Sequence, residues 1–440
     1  RAVDEAWLAE ATGRLFTDDS QAEAGRVAVR RQLAIVAGGP GTGKTTTVAG
    51  IVALLVEQAH PPGDPLVALA APTGKAANRL GEAVHQEAAA LPVADDVRAL
   101  LLGLEAQTLH RLLGWRPGGR FRHHRGNRLP HDVVIVDETS MVSLSMMARL
   151  VESVRADARL VLVGDPGQLT SIEAGAVLGD IVGTTPHDGV VVLDRVHRFD
   201  RGGGIAAIAE AVHAGDEEGA LAALRAGHGD VTWIADPDAP GALDAVRRRA
   251  IDAARAVILA ARDGDAGPAL HALGAFRLLC AHRRGEHGVS TWLTAIEAGL
   301  GDLVEPGRFY PGRPLLVTEN DYALSLFNGD TGVIVRVGNE AVAAAFERGG
   351  EIVQVRPSRL AAIDTVFAMT VHKSQGSQFD TVAVLLPPPT SQILTRELLY
   401  TAVTRARNEL LLVGSEATIR EAIRRPAARA SGLGRRLWGE

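Results

Sequence analysis

The chain has 440 residues, a formal net charge of −6 and a single cysteine, Cys280. This length allows about two to four domains at ~100–200 residues each, and one cysteine excludes an internal disulfide framework, so we expect a cytoplasmic protein. No stretch reaches the ~18 consecutive apolar residues of a membrane span, and the charged N-terminal segment is not of the signal-peptide type, so no membrane association is expected. The acidic net charge argues against general nucleic-acid binding but allows a local basic groove.

The first chemical motif lies in the run LAIVAGGPGTGKTTTVAGIVALL, residues 33–55. Gly38, Gly43, Lys44 and Thr45 fit the pattern G-x-x-x-x-G-K-[ST] between a β-type run and a helical run. Glycines let backbone N–H groups approach phosphate oxygens, and the helix N-terminus adds a favourable dipole. We predict an ATP or GTP site, with Lys44 on the β/γ-phosphates and Thr45 on Mg²⁺; the alternative is a glycine-rich turn. The predicted nucleotide-binding residues are Gly38, Gly39, Pro40, Gly41, Thr42, Gly43, Lys44, Thr45 and Thr46.

Eight apolar β-type runs follow one another along the chain, at residues 33–37, 66–71, 133–138, 159–165, 190–194, 276–281, 381–387 and 410–414. Several are uninterrupted Val, Ile and Leu, which is typical of strands covered on both faces. Ala- and Leu-rich helical stretches separate them, so the predicted fold class is α/β with parallel sheets. Cys280 lies in one of these runs and is expected to be a buried structural thiol rather than a nucleophile.

The runs form two clusters, one before about residue 190 and one after it. Residues 308–357 differ, because turn signals separate short β runs there, and they predict a small inserted antiparallel β-barrel. We therefore predict one domain over 1–190, a second over 191–307 and 358–440, and the barrel over 308–357. The basic segment WRPGGRFRHHRGNRLPHD, residues 115–132, has no evident core residues. It is interpreted as a solvated loop or hairpin, or alternatively as a pin that separates nucleic-acid strands.

Two further strand ends carry polar groups suited to nucleotide chemistry. In VVIVDETSM, Asp137 would hold Mg²⁺, usually through water, and Glu138 would polarise the attacking water; the alternative is a solvated acidic turn. In LVLVGDPGQL, the amide of Gln168 is predicted to sense the γ-phosphate, although GDPGQ alone is also an ordinary turn.

Cations beyond the loop lysine are expected near a γ-phosphate, usually as arginines. LDRVHRF offers Arg195 and Arg198, and VTRAR offers Arg405 and Arg407, but spacing alone does not distinguish them from the other arginines. Lysine is rare: only three of the 46 basic residues are lysines, at positions 44, 75 and 373. In so arginine-biased a chain, these exceptions suggest sites that need a compact ammonium group.

The order of the motifs carries more information than any one of them. GGPGTGKTTT, APTGKAANRL, QTLHRLLG, VIVDETSM, LVGDPGQL, HRF, TVHKSQGSQFDTVAVLLP and LLYTAVTRARNELLLVG resemble the motif set of superfamily 1 DNA helicases. In particular they resemble the RecD family, the alpha subunit of the bacterial RecBCD (exodeoxyribonuclease V) complex, from about residue 21 to the C-terminus. The resemblance implies two RecA-like P-loop motor domains that use ATP and Mg²⁺ and translocate along single-stranded DNA with 5′→3′ polarity.

The resemblance also implies roles for single residues. Gln21 matches the adenine-reading glutamine, and Arg198 and Arg405 match the γ-phosphate arginines. The implied DNA contacts are Pro72, Thr73, Lys75, Thr108, His110, Thr370, His372 and Lys373. Lysines 75 and 373 thus fall in DNA-facing loops, where a point charge positions the strand without reading its sequence.

Two departures from the family are visible. Gln378 stands where the family usually has Glu, which leaves the role of that position open. Family members also carry an N-terminal domain ahead of the first motor, and since this chain begins with Arg1 rather than Met, we expect that an N-terminal portion is missing.

The sequence therefore predicts an ATP-dependent 5′→3′ DNA helicase, nucleoid-associated in a bacterium, that acts on DNA ends in double-strand break repair and recombination. RecB-like and RecC-like subunits are the expected partners, and cutting is assigned to a partner because no carboxylate cluster of the metal-nuclease sort stands out. The same-class alternative is a stand-alone RecD-like or relaxase-associated helicase. The other alternative is a nucleotide-gated scaffold that binds DNA ends without translocating.

Overall fold

The structure, a computed structural model, describes residues 3–59, 63–116, 118–169, 177–183, 188–193, 203–321, 323–338, 341–348 and 350–427. The chain divides into two compact units, residues 1–198 with 429–440, and residues 199–428. Candidate residues Arg195 and Arg198 lie outside the described residues.

The first unit is built on a parallel six-stranded sheet of order β3-β2-β6-β7-β1-β8. Its strands are β1 Leu33–Gly38, β2 Val67–Ala71, β3 Ala106–Thr108, β6 Val133–Val136, β7 Arg159–Gly164 and β8 Val190–Leu193, and β4 Trp115–Arg116 and β5 Arg120–Phe121 form a separate hairpin. Its helices are α1 Glu5–Leu15, α2 Asp19–Arg30, α3 Lys44–Ala59, α4 Gly74–Ala90, α5 Asp95–Leu102, α6 Leu109–Leu112, α7 Leu144–Ser153 and α8 Val177–Val182.

Alternate residues of the central strands enter different cores. In β6, Val133 and Ile135 pack in one buried cluster with helices α1 to α5, and Val134 and Val136 pack in another with α6 to α8. Both faces of the sheet are therefore covered, which explains why the sequence of β6 is an uninterrupted apolar run. The predicted class, α/β with parallel sheets, is confirmed.

The second unit contains a parallel sheet of order β16-β10-β17-β18-β9 and an antiparallel sheet of order β14-β13-β12-β11-β15. Its strands are β9 Val231–Ile234, β10 Phe276–Cys280, β11 Pro314–Val317, β12 Thr331–Val337, β13 Ala341–Arg348, β14 Glu351–Val355, β15 Ile363–Thr365, β16 Ala368–Thr370, β17 Phe379–Leu385 and β18 Ala406–Val413. Its helices are α9 Gly204–Ala214, α10 Glu217–Arg225, α11 Asp244–Arg262, α12 Ala266–Ala275, α13 Val289–Leu300, α14 Arg396–Val403 and α15 Glu416–Arg424.

The antiparallel sheet occupies the region where a barrel was predicted. Consecutive strands β11 to β14 pair as neighbours, and β15 returns to pair with β11. The pairings among described residues leave β14 and β15 at the two edges of the sheet. The antiparallel character is as predicted, and the strands extend to Thr365, beyond the predicted limit of residue 357.

The basic segment 115–132 forms a hairpin at its start, where Trp115 pairs with Phe121 and Arg116 with Arg120. The expectation that it contributes nothing to the core is wrong, because Leu129 is 1% exposed and packs in the α6–α8 cluster. A single leucine in a polar segment gives no periodic hydrophobic pattern that would predict burial. Leu129 is buried because it packs in the same cluster as Val134 and Val136 of β6.

Cys280 is buried, as predicted, and burial raises the pKa of its thiol to about 12. Within the described ranges, no helix combines the length and apolar character needed to cross a bilayer.

Candidate functional site

The predicted nucleotide residues follow three adjacent strands of the first unit, at the carboxyl edge of the parallel sheet. The glycine loop follows β1, Asp137 follows β6, and Gln168 lies just beyond β7. In the strand register Ala37 pairs with Gly164, and Val136 pairs with Leu162. Because carboxyl ends of parallel strands meet at one edge, the fold brings these three segments together, where ligands of open α/β sheets bind.

The loop between β1 and α3 has the backbone that phosphate binding requires. Gly41 and Gly43 have φ of 82° and 79°, a left-handed conformation that glycine adopts without steric cost. A Cβ at Gly38 would stand 2.6 Å from the hydroxyl of Thr42, so a side chain there would displace the loop. The ammonium of Lys44 donates to the carbonyls of Gly38 and Gly39 at 2.7 and 2.8 Å, which places it inside the loop.

The structure also brings Gln21, which precedes β1, to the nucleotide loop. It lies on α2, is 5% exposed, and its amide Nε2 donates to the carbonyl of Thr42 at 3.3 Å. Asp18 caps the same helix by accepting the N–H groups of Ser20 and Gln21. The position fits the expected adenine-reading role, because the side chain is fixed against the loop itself.

Asp137 and Glu138 are adjacent acidic residues that directly follow β6. The N–H of Asp137 donates to the carbonyl of Ala70, and the N–H of Glu138 donates to the Asp137 carboxylate at 2.7 Å. Burial first, and then the negative charge of Glu138, raise the pKa of Asp137 to about 6, against the opposing effects of that N–H and of two cations, Lys44 and Arg79. A cation beside this carboxylate would favour its ionised form.

Gln168 is 5% exposed, and its amide Nε2 donates to a carboxylate oxygen of Asp165 at 2.9 Å. The second oxygen of Asp165 accepts the N–H of Gly167. Asp165 was not among the predicted site residues, although it is the Asp of the GDPGQ motif. It orients the predicted γ-phosphate sensor.

The candidate DNA contacts of the first unit follow β2 and β3, at the same edge of the sheet. Ala71 pairs with Thr108, so the segment after β2, with Pro72, Thr73 and Lys75, lies beside the end of β3. The ring of His110, an exposed residue, lies 6.0 Å from that of Phe121 in the hairpin. The sheet order therefore places these residues next to the strands that carry the nucleotide residues.

Thr73 and Thr108 each also cap a helix, which the motif analysis did not predict. The hydroxyl of Thr73 accepts the N–H of Ala76 and caps α4, and the hydroxyl of Thr108 accepts the N–H of Arg111 and caps α6, both at 3.2 Å. The sequence carries the signal, because Thr directly before a helical run is a preferred N-cap.

In the second unit, the candidate DNA contacts follow β16. The Thr370 hydroxyl, on a residue that is 9% exposed, accepts the N–H of Lys373 at 3.4 Å. The Lys373 ammonium forms an ion pair with Asp364 on β15 at 3.1 Å, and His372 is half-buried. Asp364 was not predicted, because nothing in the sequence indicates that β15 returns beside this segment.

Of the candidate arginines, Arg405 and Arg407 are described, and their surroundings differ. Arg405 is 4% exposed, and its guanidinium donates to the carbonyls of Thr401 and Ser377 and to the hydroxyl of Thr404. Arg407 is exposed and 3.8 Å from Asp380. The amide of Gln378, the position that departs from the family, points to the carbonyl of Thr404 at 3.5 Å.

One further contact involves a predicted loop residue. The hydroxyl of Thr46 donates to the Glu87 carboxylate at 2.9 Å. Sequence reasoning missed Glu87, since 41 residues separate the pair and only the packing of α3 against α4 brings them together.

Two protein families match separate parts of the chain. Residues 17–236 match the AAA domain family and residues 365–413 match the UvrD-like helicase C-terminal domain family. The RecBCD enzyme subunit RecD of Mycolicibacterium smegmatis is 52% identical over 426 residues, which cover 95% of this chain and 75% of that protein. RecBCD enzyme subunit RecD of Haemophilus influenzae is 31% identical, with 95% and 72% covered.

A helicase of a different name is also similar. The ATP-dependent RecD2 DNA helicase of Deinococcus radiodurans is 30% identical over 94% of this chain and 51% of its own length. Among solved structures, Bacteroides Pif1 bound to single-stranded DNA aligns with a TM-score of 0.48 at 16% identity, over 90% of this chain and 92% of that one.

Proposed function

Because the chain belongs to the RecD family of superfamily 1 helicases and is an ATP-dependent DNA helicase, we propose that it translocates along single-stranded DNA with 5′→3′ polarity. The polarity rests on the family resemblance alone, and the observation that supports translocation is the order of strands in the first unit. Candidate DNA residues follow β2 and β3, and nucleotide residues follow β6, β7 and β1, along one edge of one sheet. A structural change at the bound nucleotide would therefore occur close to the segments proposed to contact DNA.

The nucleotide loop uses groups suited to a triphosphate. Backbone N–H groups of the glycine loop and the N-terminus of α3 face the phosphates, and Lys44 supplies a positive charge. Gln21 holds the adenine, and Gln168, oriented by Asp165, reports the γ-phosphate. Glu138 orients and deprotonates the attacking water, which is the role of a general base.

The hydroxyl of Thr45 and the carboxylate of Asp137 are the groups that would hold Mg²⁺. Both are hard oxygen donors of the kind Mg²⁺ prefers. Burial and the charge of Glu138 raise the pKa of Asp137. A bound cation would offset both effects, because a neighbouring positive charge favours the ionised form of a carboxyl group. When bound, Mg²⁺ neutralises charge on the phosphate oxygens.

We assign the γ-phosphate cations to Arg198 and Arg405, and the strand contacts to Pro72, Thr73, Lys75, Thr108, His110, Thr370, His372 and Lys373. The parallel sheets are assigned to two RecA-like motors, over 1–190 and over 191–307 with 358–440. A small inserted barrel is assigned to 308–357, which holds strands β11 to β14 of the antiparallel sheet, and β15 adds to it from outside that range.

We further propose that the chain is the motor subunit of a RecBCD-type helicase–nuclease that acts on DNA ends in the bacterial cytoplasm. The names and coverage of the RecD relatives support RecB-like and RecC-like partners. The similarity to a RecD2 helicase keeps a stand-alone motor as the second candidate. A scaffold without translocation is disfavoured, since Asp137 and Glu138 are both in place.

Polarity and assembly are tested together. The protein is purified with any subunits that copurify, its native mass is measured, and motor activity in copurifying subunits is disabled by substitution of their loop lysines. A duplex with a 5′ single-stranded overhang should be unwound and one with a 3′ overhang should not, with Lys44→Ala as the inactive control. Preference for the 3′ overhang overturns the polarity, and a monomeric mass favours the stand-alone motor.

A further inference from the structure

Helix α4 joins the two parts of the proposed mechanism. It begins directly after Thr73 and carries Lys75 in its first turn and Glu87 in its last turn. The 12 positions between Lys75 and Glu87 correspond to about 18 Å along a helix at ~1.5 Å per residue. One end of a single rigid element therefore lies in a candidate DNA loop, and the other reaches the nucleotide-binding helix.

The contact at that far end is a hydrogen bond between side chains. Thr46, the residue after the proposed Mg²⁺ ligand Thr45, donates from its hydroxyl to Oε1 of Glu87 at 2.9 Å in a partly buried setting. A hydrogen bond to an ionised carboxylate is roughly twice as strong as one between neutral groups. The first turn of α3, which presents the loop to the phosphates, is thus fixed to α4.

The remaining contacts hold α4 as one body. Leu80, Val84 and Ala88 are buried in the same core as the middle of α3. The guanidinium of Arg98 donates to the carbonyls of Ala88 and Ala89 at the end of the helix, at 2.8 and 2.9 Å. A displacement at the first turn of such a helix moves its last turn as well.

We propose that Glu87 is a positioning residue that links strand binding at the start of α4 to the arrangement of the nucleotide loop through Thr46. The inference rests on the proposed function, because it requires that DNA contacts the loop before α4.

The test is the factor by which single-stranded DNA stimulates ATP turnover. The protein, with any copurifying subunits whose motors are disabled, is assayed without DNA and with saturating oligothymidylate. Glu87→Ala should lower the stimulation factor by about 2- to 30-fold, the range for residues that couple two sites. Its DNA affinity and the salt dependence of that affinity should not change, because Lys75 is intact.

A conservative variant and a double variant distinguish a loss of coupling between the two sites from a general loss of stability. Glu87→Gln keeps an oxygen that accepts the Thr46 hydroxyl and should retain most of the stimulation. Thr46→Val removes the donor at similar volume and should lower stimulation like Glu87→Ala, with no further loss in the double variant. Glu5→Ala is the matched control, since it removes a side-chain hydrogen bond between α1 and α2, the bond from Arg30.

The outcomes are distinct. If Glu87→Ala and Thr46→Val both keep the wild-type stimulation factor, the inference is wrong, even if their melting temperatures fall. If Glu87→Ala fails to fold, Thr46→Val decides, with ATP saturating in both assays so that a change in nucleotide affinity does not enter the stimulation factor. If the wild type shows no stimulation by DNA at all, the proposed function fails first and the link fails with it.

Discussion

Glu138 donates its backbone N–H to the carboxylate of Asp137 while its own φ is 52°. A residue with a Cβ is uncommon in this left-handed region, and the conformation costs of order 1 kcal/mol or more. The hydrogen bond fixes the Asp137 carboxylate, and both residues are half-buried. The strain thus occurs at the residue proposed as the base.

Glu138→Gln should lower DNA-stimulated ATP turnover by about 10²–10⁴, the typical contribution of a positioned base. ATP affinity should stay within a few-fold, because the loop and Lys44 are untouched. Gln keeps the Cβ and nearly the same volume, so the strained backbone and the melting temperature should be unchanged. Steady-state turnover and equilibrium nucleotide binding check both expectations; unchanged turnover would show that Glu138 is not the base.

The strands could be predicted where burial on both faces leaves an uninterrupted apolar run. All eight predicted runs coincide with strands of the two parallel sheets. Three strands were missed: β3 and β16 have three residues each, and β9, VTWI, is only partly buried. Short or half-exposed strands carry too few residues for a periodic signal, and their pairing partners determine them.

Side-chain pairs between distant segments could not be predicted. The motifs located the nucleotide loop and the acidic strand end, because those depend on neighbours in sequence. The pairing of Thr46 with Glu87, and of Lys373 with Asp364, depends on how helices and strands pack. A motif indicates which residue types are present and what chemistry they can perform, whereas tertiary structure determines which side chain each of them contacts.

The cap formed by Thr73 yields a prediction about stability. Thr73→Ala should lower the free energy of unfolding by about 0.5–2 kcal/mol, because the N–H of Ala76 loses its acceptor at the start of α4. Thr73→Ser keeps the hydroxyl and should restore most of this. Urea denaturation, followed through the transition in which the first unit unfolds, measures the difference in free energy of unfolding. Equal stability of Thr73→Ala and the wild type would contradict the cap, and leave only the DNA contact for this residue.

Cys280 provides a reporter of unfolding in the second unit, because it is the only cysteine of the chain. The thiolate is the reactive form, and because burial raises the pKa of this thiol to about 12, very little of it is ionised at pH 8. Modification by a thiol-specific disulfide reagent should therefore be negligible in the folded protein and reach one thiol per chain after denaturation. Rapid modification under native conditions would contradict the burial of β10.

The salt dependence of DNA binding tests the two remaining lysines. Lys75→Ala and Lys373→Ala should each weaken single-stranded DNA binding about equally for all sequences. Each should also flatten the slope of log K against log[salt] by about 0.7, the single-strand value per phosphate contact. Lys44→Ala is the matched control, which should abolish turnover with the slope nearly intact. Unchanged slopes in both variants would show that these lysines are ordinary surface charges.

The ion pair of Lys373 with Asp364 makes the second of these contacts adjustable. The pair is partly exposed, so its own contribution to stability is about 0–1 kcal/mol, but the carboxylate competes with phosphate for the ammonium. Asp364→Asn should therefore raise single-stranded DNA affinity by up to about 5-fold at low salt, the factor that corresponds to 1 kcal/mol. Asp380→Asn removes the same charge beside Arg407 and controls for net charge. In the Lys373→Ala background the gain should vanish; an equal gain there would mean that Asp364 repels the strand directly and that Lys373 does not hold it.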